Sequence, residues 1–282
     1  MQKIKPFKIF KTLLNHALIA KESGYPIQHK LEILKVLNGL YLKSVFFGKK
    51  QEVTQKIFGY KVTAYDYSNI LYLFKEVFLS REYYFQSEKQ NPAIIDCGAN
   101  IGMAVLYFKF LYPNCSVTAF EPNPLAFYLL NKNITQNNLS NVEIKNVALS
   151  NRDGSIGFFT KGRQGMLVAS IIKERGGDDC ISIQSQKMSD FIKDNKFDLL
   201  KMDIEGAETE VLEDLILAAK INNISAYIIE YHHRIDHNKT SMTNFIRPFE
   251  ERGYGYNMKT SFHKLRSFQD VLLYFFKEPA AE

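Results

Sequence analysis

The sequence predicts an α/β protein, a mostly parallel sheet with helices on both faces, preceded by a helical extension. Three observations predict it. From Ala93 onward, short apolar runs alternate with helical patterns, as a parallel sheet covered on both sides requires. The first run ends in an acid and a glycine-bearing turn before a helix opens, in Asp96-Cys97-Gly98-Ala99-Asn100-Ile101-Gly102. Residues 1–52 repeat apolar side chains at helical spacing. We therefore divide the chain into a helical extension, residues 1–52, and a main domain, residues 53–282.

In the extension, Leu13, Leu14, Ala17 and Leu18 form one helical pattern. Leu31, Ile33, Leu34, Leu37, Leu40 and Tyr41 form a second, and Ser23-Gly24-Tyr25-Pro26 separates them. Short strands are expected around Gly59 and a helix over 70–78. The alternating part then predicts strands at 93–97, 116–121 and 142–148, with helices at 101–111 and 124–136. The alternation lapses at Ser155–Thr160 and Ile181–Gln186, two extra strands around a polar stretch with Gly162, Gly165, Gly176 and Gly177. It resumes with a strand at 197–202, a helix at 207–219, a strand at 226–230 and a helix at 243–252. Two final strands, 254–258 and 271–276, close the chain.

The bulk numbers exclude several classes. The chain has 282 residues, 46% hydrophobic and 23% charged, enough for one large core. Its formal charge is +6 and its pI about 8.9. That excess reads as mild and spread out, with no Lys/Arg run like a nucleic-acid arm, so no nucleic acid is expected as partner. Three cysteines without metal spacing (Cys97, Cys115, Cys180) fit reduced thiols and a cytoplasmic location. No apolar run approaches the ~20 residues of a membrane span, and no signal peptide opens the chain.

The glycine turn restricts the cofactor. A dinucleotide fingerprint needs glycine at three places, the second of them to admit a pyrophosphate. Gly98 fills the first, but Asn100 and Met103 occupy the others. A nucleoside cofactor lacking a pyrophosphate remains compatible. Glu121 ends the second strand, where a carboxylate can accept hydrogen bonds from both ribose hydroxyls. These motifs, with Asn146-Val147-Ala148-Leu149-Ser150, Lys201-Met202-Asp203-Ile204-Glu205-Gly206-Ala207-Glu208 and Ile229-Glu230-Tyr231-His232, resemble the FkbM-type methyltransferase family. The resemblance runs from about Tyr65 to Phe276.

It implies a class I methyltransferase fold, a Rossmann-like seven-stranded sheet whose last strand is reversed. It implies S-adenosylmethionine at the carboxyl ends of the strands and methylation of a hydroxyl oxygen on a sugar, glycan or other small molecule. Where amino-group methyltransferases carry an acid-or-amide, Pro-Pro, aromatic motif, this chain reads Asp203-Ile204-Glu205-Gly206. The alternatives are a nucleic-acid methyltransferase and a non-catalytic cofactor-binding interaction domain.

For the cofactor, the candidate residues are Asp96, Gly98, Asn100, Gly102, Glu121, Asn146, Ala148 and Asp203. For the chemistry they are His232, Asp203 and Glu230. Residues 230 and 232 share a face of their strand, and the neighbouring strand, ending at Asp203, is ~4.8 Å away. His232 is the expected general base, oriented by Asp203 or Glu230. The other role for these three is to hold a divalent cation. Glu205 is balanced between a site role and helix capping, Glu208 is expected on the helix surface, and Tyr83 and Tyr84 are balanced between site and core. The N-terminal helices are expected to cover the main domain or form a homo-oligomer.

Overall fold

The computed structural model describes residues 6–47, 52–160, 169–233, 235, 242–260 and 269–277. They fall into two compact units, one of residues 1–82 with 135–138, the other of 83–134 with 139–282.

The first unit opens with helices α1 (Pro6–Glu22) and α2 (Ile27–Phe47), broken at Ser23–Pro26 as the sequence predicts. A hydrogen bond between His16 Nδ1 and Asn38 Oδ1, 2.8 Å, ties them together. α2 buries Ile33, Val36, Leu37 and Leu40. Strands β1 (Val53–Ile57) and β2 (Tyr60–Ala64) form an antiparallel hairpin about Gly59. Helix α3 (Tyr67–Leu73) is capped by Asp66, whose carboxylate accepts the Asn69 N–H. It runs into a π-helical segment, Phe74–Leu79, where the sequence pattern shows only a continuing helix.

The second unit is built on a seven-stranded sheet. Its strands are β3 (Ala93–Cys97), β4 (Ser116–Phe120), β5 (Val142–Lys145), β9 (Phe197–Met202), β10 (Ile224–His233), β11 (Tyr254–Thr260) and β12 (Gln269–Lys277). Their order is β11-β12-β10-β9-β3-β4-β5. β12 alone runs antiparallel to both of its neighbours, which is the reversed last strand expected from the sequence. Helices α4 (Met103–Leu111), α5 (Pro124–Thr135), α8 (Glu208–Leu217) and α9 (Met242–Glu250) accompany it. The central strands bury apolar side chains on both faces, among them Ile94, Ile95, Leu199 and Leu200. β10 and β12 join α9 through Tyr227, Phe249 and Phe275, the last two rings stacked at 3.8 Å.

One strand differs from its expectation. The apolar run 142–148 does not continue as a single strand. β5 ends at Lys145, and β6 (Ala148–Ser150) joins a separate three-stranded sheet with β7 (Gly154–Thr160) and β8 (Asp179–Lys187). Asn146 holds the break, its side-chain amide donating to the carbonyls of Glu121 and Pro122 at 2.8 and 3.1 Å. Two short α-helices, α6 (Lys173–Gly176) and α7 (Met188–Ile192), and a 3₁₀ helix, Ile221–Asn223, complete the helices among the described residues. Gly162 and Gly165 lie outside the described residues.

Candidate active site

The carboxyl ends of β3, β4 and β9 open into a cleft of about 640 Å³, mouth included. Ligands of open α/β sheets bind at this edge, where the strand order reverses. Gly98, Asn100, Glu121, Ala148, Asp203 and Glu205 are among its lining residues.

The glycine turn is set by close packing. Gly98 has φ +78°, and a Cβ there would stand 1.8 Å from the carbonyl oxygen of Asp203. Only glycine lets β3 and β9 end this close together. Asn100 follows at φ 50°, a left-handed conformation that asparagine tolerates. Its N–H donates to Glu121 Oε2 at 2.7 Å, and the Asn123 N–H donates to Oε1 at 2.8 Å. Two backbone donors thus fix the carboxylate at the cleft wall, with lone pairs left over. Burial nevertheless raises its pKa to about 7, against those two N–H bonds and Lys201, which pull it down. Asn100 is among the residues lining the same cleft, and its amide oxygen is buried without a hydrogen-bond partner. An orphaned acceptor, a fixed carboxylate and apolar walls (Phe120, Leu149, Phe158, Ile171) fit a nucleoside with a hydroxylated ribose.

Three of the eight residues expected to bind cofactor lie off the cleft. Gly102 instead packs on α5, where a Cβ would stand 2.7 Å from Leu130. Asn146 shapes the chain break described above. Asp96 is wholly buried, with Oδ1 3.2 Å from Lys201 Nζ. Burial raises the Asp96 pKa and outweighs Lys201, which lowers it. Lys201 also donates to the Gly98 carbonyl at 2.8 Å and stands 3.9 Å from Asp203 Oδ2. On Lys201 burial works downward, but Asp96 and Asp203 raise the pKa overall and keep it a cation. A buried lysine under the glycine turn was not singled out from sequence. Its signal was an isolated charge in an apolar run, Leu199-Leu200-Lys201-Met202.

Beside the cleft, His232 is buried among carboxylates. Its Nδ1 lies 2.8 Å from Glu208 Oε1, and its Nε2 3.2 Å from Glu205 Oε2 and 3.9 Å from Asp203 Oδ1. Burial works to lower its pKa, but Glu208 and Glu205 raise it well above the ordinary histidine value. The carboxylates at both ring nitrogens thus favour the protonated imidazole. Glu208 does not lie on the helix surface as expected. Its side chain turns back toward the N-terminus of α8, as helical side chains do. There it accepts the N–H groups of Ile204 and Gly206 and is 1% exposed. Tyr83 reaches the site and donates to Asp203 Oδ2 at 3.2 Å, whereas Tyr84 is exposed.

The expected set Asp203, Glu230, His232 divides into two clusters that share the histidine. Asp203, Glu205 and His232 bring one ligand atom each within 4.8 Å of one another, as do Glu230, His232 and Asp270. The reason is the strand pairing. Asp203 has left β9 for the turn before α8, while Glu230 stays within β10, where Asp270 of β12 pairs with His232.

The strand order, the reversed β12 and the glycine turn facing Glu121 define a class I methyltransferase fold. Within that class the chain belongs to the FkbM methyltransferases: the methyltransferase FkbM domain matches residues 96–258. Methyltransferase sdnD of Sordaria araneosa is 28% identical over 174 residues, 50% of this chain and 67% of that one. The 2-O-methyltransferase NoeI of Sinorhizobium fredii is 29% identical over 142 residues, 44% of this chain and 58% of that one. The chain thus spans about two thirds or less of these relatives. A crystal structure of a methyltransferase FkbM from Methylobacillus flagellatus aligns over 96% of this chain and 60% of its own, at 16% identity and TM-score 0.48.

Proposed function

We propose that the protein transfers the methyl group of S-adenosylmethionine to a hydroxyl oxygen of a sugar or another small molecule. The observation that carries this reading is the Asp203–Glu205–His232–Glu208 cluster beside a cleft fitted for a nucleoside. Nucleoside binding alone gives no reason to bury a histidine between carboxylates. The family membership and the similarity to a 2-O-methyltransferase support the same reading.

S-adenosylmethionine supplies an electrophilic methyl group on a sulfonium. Glu121 accepts the ribose hydroxyls, and Asn100 offers its amide oxygen to the same ligand. Gly98 lets the ends of β3 and β9 close together under the ligand. Lys201 holds the turn by its carbonyl and fixes Asp203. Asp203 and Glu205 face the acceptor side, where alignment of the incoming oxygen is the larger part of the rate.

The alcohol must also lose its proton. His232, oriented by Glu208 at Nδ1, takes part together with Glu205. Because the carboxylates favour the protonated imidazole, the basic form of His232 grows only above the ordinary histidine range. We expect kcat to rise with pH beyond neutrality, and Glu205→Gln to move that limb to lower pH. His232→Ala should lower kcat by about 10²-fold or more and leave cofactor affinity alone.

The clustered ligand atoms favour a second version, in which Asp203, Glu205 and His232 hold a divalent cation that acidifies the acceptor. Chelation then abolishes activity and Mg²⁺ or Mn²⁺ restores it; under the base version chelators do nothing. Incubation with isotopically labelled S-adenosylmethionine and pooled sugar precursors, read by mass spectrometry, tests the proposal itself. Labelled methyl ethers are expected. Labelling of RNA in place of the sugars would overturn it.

A further inference from the structure

The chain's net charge is not spread evenly, as its composition suggested. Residues 1–47 hold eight lysines and no arginine against Glu22 and Glu32. That net of +6 is the formal charge of the whole chain, so residues 48–282 balance. The same segment carries half of the large exposed apolar side chains among the described residues. Charge and exposed apolar surface therefore coincide in one place.

On α1 they coincide on one face. Phe7, Phe10, Leu14 and Leu18 follow one another at helical spacing and are 79, 60, 53 and 55% exposed. Lys11 lies four residues after Phe7 and Lys21 three after Leu18, so both flank the stripe, and both are exposed. The opposite face of α1 holds the buried His16 and Ala20, and His16 meets Asn38 of α2. The stripe is thus not the face that α1 packs within its own unit.

The chemistry selects the occupant. A second copy of this face would set Lys8, Lys11 and Lys21 of one chain against the same lysines of the other. Nucleic acid would answer the charge and leave four large apolar side chains without a partner. An anionic bilayer surface accepts both: apolar side chains enter the acyl boundary, while lysines lie along it with their ammonium groups among the headgroups. None of the described helices is long and apolar enough to cross a membrane, so α1, about 25 Å long, would lie in the plane of the surface. We propose that α1 docks the protein on an anionic lipid surface. Phe7, Phe10, Leu14 and Leu18 enter the interface, and Lys8, Lys11 and Lys21 meet the headgroups.

Sedimentation of the full chain with phosphatidylcholine vesicles, with and without phosphatidylserine, tests this. Binding is expected to the phosphatidylserine vesicles, and to fall with added salt. Lys8→Gln/Lys11→Gln should weaken it by about 30-fold, which is ~1 kcal/mol for each lysine. Phe7→Ser/Phe10→Ser should weaken it by about 100-fold or more. Both pairs are exposed, so unchanged thermal unfolding and unchanged cofactor affinity show that the fold is kept. No binding at low salt overturns the proposal. So does binding that survives the phenylalanine changes. A dimer dispersed by Phe7→Ser/Phe10→Ser, without vesicle binding, would assign the stripe to a second copy instead.

Discussion

Glu121 joins binding and stability in one side chain. Folding raises its pKa from 4.5 to about 7, so the folded protein holds this proton more tightly than the unfolded chain. Stability linked to the group is complete below about pH 4.5 and is lost as pH rises through about 7. Glu121→Gln should therefore show less loss of stability across this window, measured by denaturant unfolding at several pH values without cofactor. Affinity for S-adenosylmethionine should move oppositely, rising through pH 7 as the carboxylate ionises and becomes a better acceptor for the ribose hydroxyls. Glu121→Ala should weaken that affinity by roughly 10- to 100-fold, the value of charge-assisted hydrogen bonds of ~1.5–3 kcal/mol. Unchanged calorimetric affinity would remove Glu121 from the site. Gly98→Ala is a sharper test of the floor. Its Cβ meets the Asp203 backbone, and the positive φ adds strain, so we expect a lower unfolding temperature and loss of cofactor binding together.

At the scale of elements, the site depends on how β3 and β9 end. Lys201 crosses from β9 to Asp96 and to the Gly98 carbonyl at the end of β3. Lys201→Met would leave the Asp96 carboxylate buried without its cation, a change that costs about 3–5 kcal/mol. Adding Asp96→Asn should recover much of the loss in denaturant unfolding, because no uncompensated charge then remains. An additive double variant would show that the two side chains act separately. The element boundaries were legible where the pattern was long and regular: β3 and β9 fall where the sequence puts them. The break after β5 was not. Ala148 and Leu149 continue the apolar run of β5, and the bonds that end it, from the Asn146 side chain to the 121–122 carbonyls, close across 24 and 25 residues.

For the whole molecule, all the residues that line the cleft belong to the second compact unit. We therefore expect deletion of residues 1–47 to leave affinity for S-adenosylmethionine within a few-fold of the full chain, measured by calorimetry. Methylation of the acceptor, and binding to anionic vesicles, should fall. The boundary proposed at residue 52 rests on where the two helical patterns end. The contacts group the β1–β2 hairpin and α3 with those helices instead, because Ile33, Leu37, Phe74 and Phe78 are buried in one unit.

The sequence by itself determined the class of fold, the glycine turn, the acid that ends β4 and the acids and histidine that end β9 and β10. Each is local, fixed by periodicity or by the residue that a turn demands. Only the tertiary structure decided which acids meet His232. From spacing, Asp203 or Glu230 was its orienting group. In the folded chain Glu208 and Glu205 take its two nitrogens, because the turn after β9 bends back and carries the start of α8 toward β10. The same folding put Asp96 beneath the cleft beside Lys201, and left the apolar stripe of α1 facing outward. Such partnerships join residues 24 to 105 positions apart, and no sequence period records them.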